Sequence, residues 1–434
     1  MVKRSNPFFE LDGERDEPPA RRLYARVDRS DGQWMLLEAV NADWMDRFLG
    51  EGAGPDLWRE VGPEAPVSIL QLRLDDWFRL CDRTNQDPEQ GLRWRRWVEL
   101  VIEDRGVEIV QYLNLFAGPR TIRVDKTMTA DQATQQGFSR LMNLTPYVST
   151  QAEIEAVLPS KSQRIEWVAV YDVGQGSASA LLDEYGAPSM YADLGGGVVG
   201  HLTTFPADFK RLCLTRSPTI VLSHWDWDHW SSAARFPAAQ TMTWIAPNQT
   251  FGIVHGVFAA LVVANGRLMI WPSCLPSAHS GQIAILKCKG NDRNNSGLAV
   301  SVDGPDGEPP ILLPGDASYW NVPTGQGVHT SVVAPHHGAA MGATMPSDAG
   351  SMHGRVAYSY GANNQWKHPL PITMTRHDAA GWPHDVLPAT DRDIHTAHRA
   401  ASPALGHIGL SWKGGTPPSP PCGGRLCDQA IVQS

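Results

Sequence analysis

Short apolar runs separated by polar turns dominate this chain. Val67-Ser68-Ile69-Leu70 reads as a strand, and the Trp- and Arg-rich stretch from Leu92 to Leu113 holds further apolar segments. From Asp131 to Leu144 the apolar positions fall at helical spacing and predict an amphipathic helix. The chain is polar between Asp125 and Lys161, and Ser149-Thr150-Gln151 and Pro159-Ser160-Lys161-Ser162 suit a linker, which puts a domain boundary near residue 160. Beyond it, strand-like runs from WVAVYDV to HIGLSW alternate with short helical segments such as HGVFAALVVA. That alternation predicts an α/β layered domain with its working loops at strand ends. Residues 1–160 are expected to form an α+β domain, 161–414 the layered domain, and 415–434 a Pro- and Gly-rich tail.

Composition sharpens this picture in four places. A chain of 434 residues exceeds what one core usually holds, so two modules are expected. The N-terminus turns acidic where a signal peptide needs an apolar stretch, and no apolar run is long enough to span a bilayer, so the expected location is cytoplasmic. A net charge of −9 argues against a protein that grips nucleic acid by basic charge alone. The six cysteines show no zinc-ribbon spacing, although Cys422 and Cys427 could bind metal or form a disulfide.

Candidate chemistry concentrates at strand ends. The apolar run Thr219 to Leu222 leads into SHWDWDHW, which holds His224, Asp226, Asp228 and His229. Alternate side chains of an extended segment share a face, so the first three can converge, and a turn into a helix brings His229 round. Such a group suits Zn²⁺, Mn²⁺ or a similar ion. Trp225 and Trp227 alternate with these residues and are expected in the core. A second run, ILLPGDA, delivers Asp316, a carboxylate able to bridge two cations. A third, VVAPHHGA, delivers His336 and His337, of which one could ligate while the other contacts substrate or a ligand.

In this order the clusters resemble the metallo-β-lactamase superfamily, and more closely the ComEC-like hydrolase domain of bacterial competence proteins. The resemblance also takes in Asp172-Val173-Gly174-Gln175-Gly176, Asp193-Leu194-Gly195-Gly196, Asn294-Asn295-Ser296-Gly297, and Ser359 through His368-Pro369, about half the chain. Ser177 and Ala339 depart from the family pattern. The resemblance implies a four-layer αββα fold. It also implies two divalent ions, Zn²⁺ or Mn²⁺. One would be held by His224, Asp226 and Asp316, the other by Asp228, His229, Asp316 and His336. It further implies that a metal-bound hydroxide attacks phosphorus, with Asp228 and His368 catalytic. His337, Asn295, Asn364 and Asp193 would then contact substrate or support the ligands.

The expected activity is therefore phosphodiester cleavage, with DNA or RNA as substrate and the N-terminal domain recognising substrate or a protein partner. Two alternatives stand beside it. One is hydrolysis of a small molecule such as a cyclic nucleotide, phosphate ester, lactone or thioester. The other is a catalytically silent assembly module.

Overall fold

In the first 130 residues, apolar side chains recur at every second position of successive strands. Leu23, Ala25 and Val27 do so on β1 (Arg22–Ser30), Met35, Leu37 and Ala39 on β2 (Trp34–Asn41), and Leu70 and Leu72 on β3 (Val67–Arg73). Period-two alternation puts one face inward. These residues share a core with Leu100 of β4 (Val98–Ile102), Val110 of β5 (Glu108–Leu113) and Val124 of β6 (Arg120–Thr129). In the computed structural model β1 pairs with both β2 and β4, closing the order β1-β2-β3-β5-β6-β4 into a barrel. The helix Leu74–Arg83 adds Trp77, Leu80 and Cys81 to its core.

The structure describes residues 5–11, 20–30, 33–50, 55–87, 96–104, 106, 108–382, 393–397, 406–415, 417–418 and 432–433. The Cys422 and Cys427 pair and most of the Pro- and Gly-rich tail lie outside the described residues. The chain divides into two compact units, Met1–Pro146 with Thr250–Gly266, and Tyr147–Gln249 with Arg267–Ser434.

The second unit is built on two mixed sheets. The first comprises β7 (Ile165–Val170), β8 (Ala178–Asp183), β9 (Pro188–Leu194), β10 (Thr219–Val221), β11 (Thr243–Ala246) and β12 (Arg267–Ile270). Past β7 it continues with β22 (Ile408–Leu410) and β23 (Val432–Gln433). The other runs β13 (Ser277–Ser280), β14 (Ile283–Lys287), β15 (Leu298–Val302), β16 (Ile311–Leu313), β18 (Ser331–Val333), β20 (Val356–Tyr358) and β21 (Asp393–His395). Two short strands, β17 (Val328–His329) and β19 (Ser347–Asp348), pair separately. Val168, Leu181, Met190 and Ile245 of the first sheet share one core with Ile285, Val300, Leu313 and Val333 of the second. At the ends of the sheets, Ser149 donates to the Ile270 carbonyl at 3.0 Å and His279 donates to Glu155 Oε1 at 3.3 Å.

The four-layer αββα expectation, and with it the assignment to the metallo-β-lactamase superfamily and its ComEC-like branch, is overturned by this architecture. The described residues form a closed six-stranded barrel and separate mixed sheets. Two outer helical layers need long helices. Among the described residues the α-helices of the second unit are Gln151–Val157, Trp227–Trp230, Ser232–Arg235 and Pro371–Ala379, the longest of nine residues. The 13-residue helix Ile253–Asn265, the most apolar candidate for such a layer, belongs to the first unit instead. Its buried positions run without break from Ile253 to Val262, a pattern that lets it pack wherever apolar surface is offered. The expected N-terminal α+β domain is likewise replaced by the barrel. The matched motifs encode strand-end loops, and loops of that chemistry do not dictate the layers beneath them. Among the described residues no helix is long and apolar enough to cross a membrane.

Candidate metal centre

The buried strand β10 ends at Val221, and the chain then turns through Ser223 and His224 into the short helix Trp227–Trp230, which carries His229. Trp225 and Trp227 are buried, and the Trp225 indole donates to the Pro247 carbonyl at 3.0 Å, pinning the turn. At the neighbouring strand end Asp193 takes a left-handed backbone with φ of 58°. Its Oδ1 accepts from Ser223 N at 2.7 Å and its Oδ2 from Ser223 Oγ at 2.8 Å.

Glycine is required at two points of this frame. A Cβ on Gly195 would stand 1.5 Å from the Asp228 carbonyl oxygen, so only glycine lets that helix approach β9. Gly315, at φ of 60°, lies where a Cβ would meet Ser223 Cβ at 2.5 Å, and it turns the chain after β16 to present Asp316. After β18, His336 and His337 adopt φ of 48° and 58°. Three such residues around one cluster mark a backbone held in place by its surroundings.

Three imidazoles are each braced at Nδ1. His229 Nδ1 is 2.8 Å from Asp193 Oδ2, His224 Nδ1 is 3.0 Å from Ser223 Oγ, and His337 Nδ1 is 2.8 Å from the Ser359 carbonyl. Their Nε2 atoms are buried without a hydrogen-bond partner. Carboxylates face those atoms. His229 Nε2 is 3.1 Å from Asp316 Oδ1, His224 Nε2 is 3.7 Å from Asp316 Oδ2 and 3.3 Å from Asp226 Oδ2, and His337 Nε2 is 3.3 Å from Asp228 Oδ2. A ring held at one nitrogen by a hydrogen-bond partner, with the other nitrogen turned toward carboxylates, is the arrangement that orients a histidine to ligate a metal. Two triads result, His224-His229-Asp316 and Asp228-His229-His337, either of which could hold a divalent cation.

The local field agrees with a cation. Burial lowers the basicity of His229, yet Asp316 and Asp193 reverse this and hold its pKa well above the usual histidine value. Burial would raise Asp316, but His229, His336 and His224 hold it well below the carboxylate range. His337 is lowered by burial and raised more by Asp316 and Asp228, for a net upward shift.

The remaining predicted residues fall into distinct places. His336 sits at the rim, a third exposed, with Nε2 3.7 Å from Asp316 Oδ2. The His368 ring lies 5.7 Å from that of His336, and burial, followed by His337 and His336, lowers its pKa to about 4. Asn364 holds the turn before it, accepting from His368 N at 3.0 Å and donating to His368 O at 2.8 Å. Asn295 holds a loop, accepting from Ser318 N at 2.9 Å and Asn321 Nδ2 at 2.8 Å. Three participants escaped the sequence reading. Ser223 touches Asp193, His224 and His229, and its position directly before His224 was the available signal. The Ser359 carbonyl and Arg293 carried no such signal.

A third group that could hold a cation lies in the first unit, where Asp28, Glu38 and His255 are buried together. His255 Nε2 is 2.9 Å from Glu38 Oε1 and 3.7 Å from Asp28 Oδ1, and Val254 N donates to Glu38 Oε2 at 2.7 Å. Asp28 lies where the β1–β2 register shifts.

No protein-family model matches the sequence, and no curated protein proves similar to it.

Proposed function

We propose that this chain is a metal-dependent hydrolase that cleaves phosphodiester bonds, with nucleic acid as its substrate. The observation that best supports the reading is the trio His224, His229 and His337, braced at Nδ1 and turned by Nε2 toward Asp316 and Asp228. An imidazole nitrogen has one lone pair, so His229 serves one cation at a time. In a two-ion arrangement His224, Asp226 and Asp316 would hold the first, and Asp228, His229 and His337 the second. Ions held there supply Lewis-acid polarisation of a phosphoryl oxygen and a lowered pKa for bound water. The mixed imidazole and carboxylate donors suit Zn²⁺ or Mn²⁺.

The chain's own groups do the rest. Asp193 and Ser223 fix the ring orientations of His229 and His224. Asp228, at 3.3 Å from His337 Nε2, is placed to hold a proton from water, and His336 and His368 line the rim where a leaving oxygen would depart.

The test is to incubate the protein with Mn²⁺ or Zn²⁺ and single-stranded DNA, duplex DNA, RNA and bis(p-nitrophenyl) phosphate, beside an Asp228→Ala, His229→Ala double variant. Cation content and melting temperature are read on both proteins. Metal-dependent cutting of a polymer that the folded variant loses supports the nuclease reading. Turnover of the small diester alone moves the substrate to small phosphodiesters. No turnover of any diester by a cation-loaded wild type overturns the proposal.

A further inference from the structure

Arg293 is the basic side chain that the hydrolytic reading leaves without a task. It lies in the loop between β14 and β15, and its Nε stands 2.6 Å from Asp226 Oδ1, with the two side chains only 18% and 14% exposed. The other oxygen of Asp226 is 3.3 Å from His224 Nε2, so a single carboxylate separates the guanidinium from the first triad. The loop is built to keep it there. The Arg293 carbonyl accepts from Gln249 Nε2 at 2.6 Å, the same Nε2 reaches Ser296 Oγ at 2.9 Å, and Gln249 Oε1 accepts from Trp225 N at 3.3 Å. Gln249 thus ties the Arg293 backbone to the residue that follows His224. The next residue, Asn294, places Nδ2 3.2 Å from His336 Nδ1 across the rim. Behind both, Asn295 anchors the loop to Ser318 and Asn321.

The charges around the triads explain why an arginine belongs there. Asp193, Asp226, Asp228 and Asp316 put four carboxylates in one small region, a setting that repels an anionic substrate. A guanidinium keeps its charge at any working pH and presents a planar fork of donors that matches phosphoryl oxygens. The ion pair with Asp226 keeps that guanidinium beside the first triad.

We infer that Arg293 is the residue that reads the phosphoryl group: kept beside the first triad by its ion pair with Asp226, it hydrogen-bonds a non-bridging oxygen of a phosphodiester beside His224 and Asp316. The site thereby favours substrates anionic at the reacting centre over neutral esters, lactones and thioesters. This rests on the hydrolytic reading above for the reaction, but its binding consequence is measurable without turnover.

The experiment compares wild type, Arg293→Ala and Arg293→Lys, each loaded with Mn²⁺ and checked for ion content and melting temperature. Inorganic phosphate binding is measured by calorimetry, and kcat and KM are measured on bis(p-nitrophenyl) phosphate. Arg293→Ala is expected to weaken phosphate binding and raise the diester KM by about 10- to 100-fold at full Mn²⁺ content, with Arg293→Lys recovering only part. Equal phosphate affinity in wild type and Arg293→Ala overturns the inference, as does a wild type that binds no phosphate. A loss confined to Arg293→Ala protein that has also lost Mn²⁺ overturns it too, because Arg293 then acts only by holding Asp226. If wild type binds phosphate through Arg293 but cleaves no diester, the hydrolytic reading fails and the binding role stands.

Discussion

Both units bury histidine against carboxylates, yet the two clusters are differently finished. In the first unit one imidazole, His255, faces Glu38 and Asp28, and Glu38 is further tied to the backbone of Val254. Burial lowers the His255 pKa, and Glu38 and Asp28 outweigh it to give a raised value, so a proton on the ring completes an ion pair. In the second unit three imidazoles crowd together, each braced from behind, and their inward nitrogens have no hydrogen-bond partner. Burial and residue type are common to both. His255 Nε2 likewise lacks a hydrogen-bond partner, so what separates the two clusters is the count of imidazoles, one against two carboxylates in the first unit and three in the second.

The widest test of this contrast sets His229→Ala against His255→Ala. Because His229 belongs to both triads, its loss should lower the cation content measured by elemental analysis by at least one ion per chain and lower metal-dependent hydrolysis by at least about 1000-fold. His255→Ala leaves Glu38 and Asp28 as buried charges without their imidazole and should cost about 3–5 kcal/mol of stability in urea titration. Equal loss of metal in both variants would erase the distinction drawn between the clusters.

A third kind of buried histidine calibrates the pair. His377 has no carboxylate in its hydrogen bonds, since Tyr319 OH lies 3.0 Å from Nε2 and Tyr358 OH lies 2.8 Å from Nδ1. Burial lowers its pKa to about 4. Between that value and the unfolded one near 6.5, the unfolded chain binds a proton that the folded chain does not, so stability rises with pH. The contribution is fully present above about pH 6.5 and falls away toward pH 4, on the order of 3 kcal/mol in all. His255, with a raised pKa, has the opposite sign: its contribution is fully present below about 6.5 and is lost as pH rises through the folded value. Urea titrations of wild type and His377→Phe across this range should show the acid-side slope flatten in the variant. An unchanged slope would assign the acid loss to other groups.

The smallest effect is expected from the brace. Asp193→Asn keeps the size of the side chain but removes the charge behind His229 Nδ1, and should weaken cation affinity by about 10- to 100-fold. An affinity equal to wild type would mean that ring orientation comes from packing alone.

The site was far more legible in the sequence than the fold. His224, Asp226, Asp228 and His229 stand within six residues, so the geometry of one strand end already brings them together. Asp316 and His337 arrive on strand ends of the second sheet, and the short apolar runs before them announced those strands. The layers were not legible. Whether the helix Ile253–Asn265 covers a sheet or joins a barrel depends on distant surface, and its all-round apolar pattern is silent on the choice. The third cluster was hidden for the same reason, because Glu38 and the helix it meets are more than 200 residues apart in sequence. Asn295 was expected near the metals on the strength of a motif. Within the loop that carries Arg293, its amide oxygen accepts from Ser318 N and Asn321 Nδ2.

The contacts of residues 148–155 bear on how the molecule avoids sticking to itself. β12 and β13 are terminal strands of their sheets, and a terminal strand is where another chain can add its own. Val148 bridges to Ile270, Ser149 bonds the same residue, and Glu155 receives the amide of His279, so this one stretch occupies main-chain groups on both borders. It works as a selvedge: loosening it would open two seams at once, whereas the barrel, sewn shut between β1 and β4, has none to open.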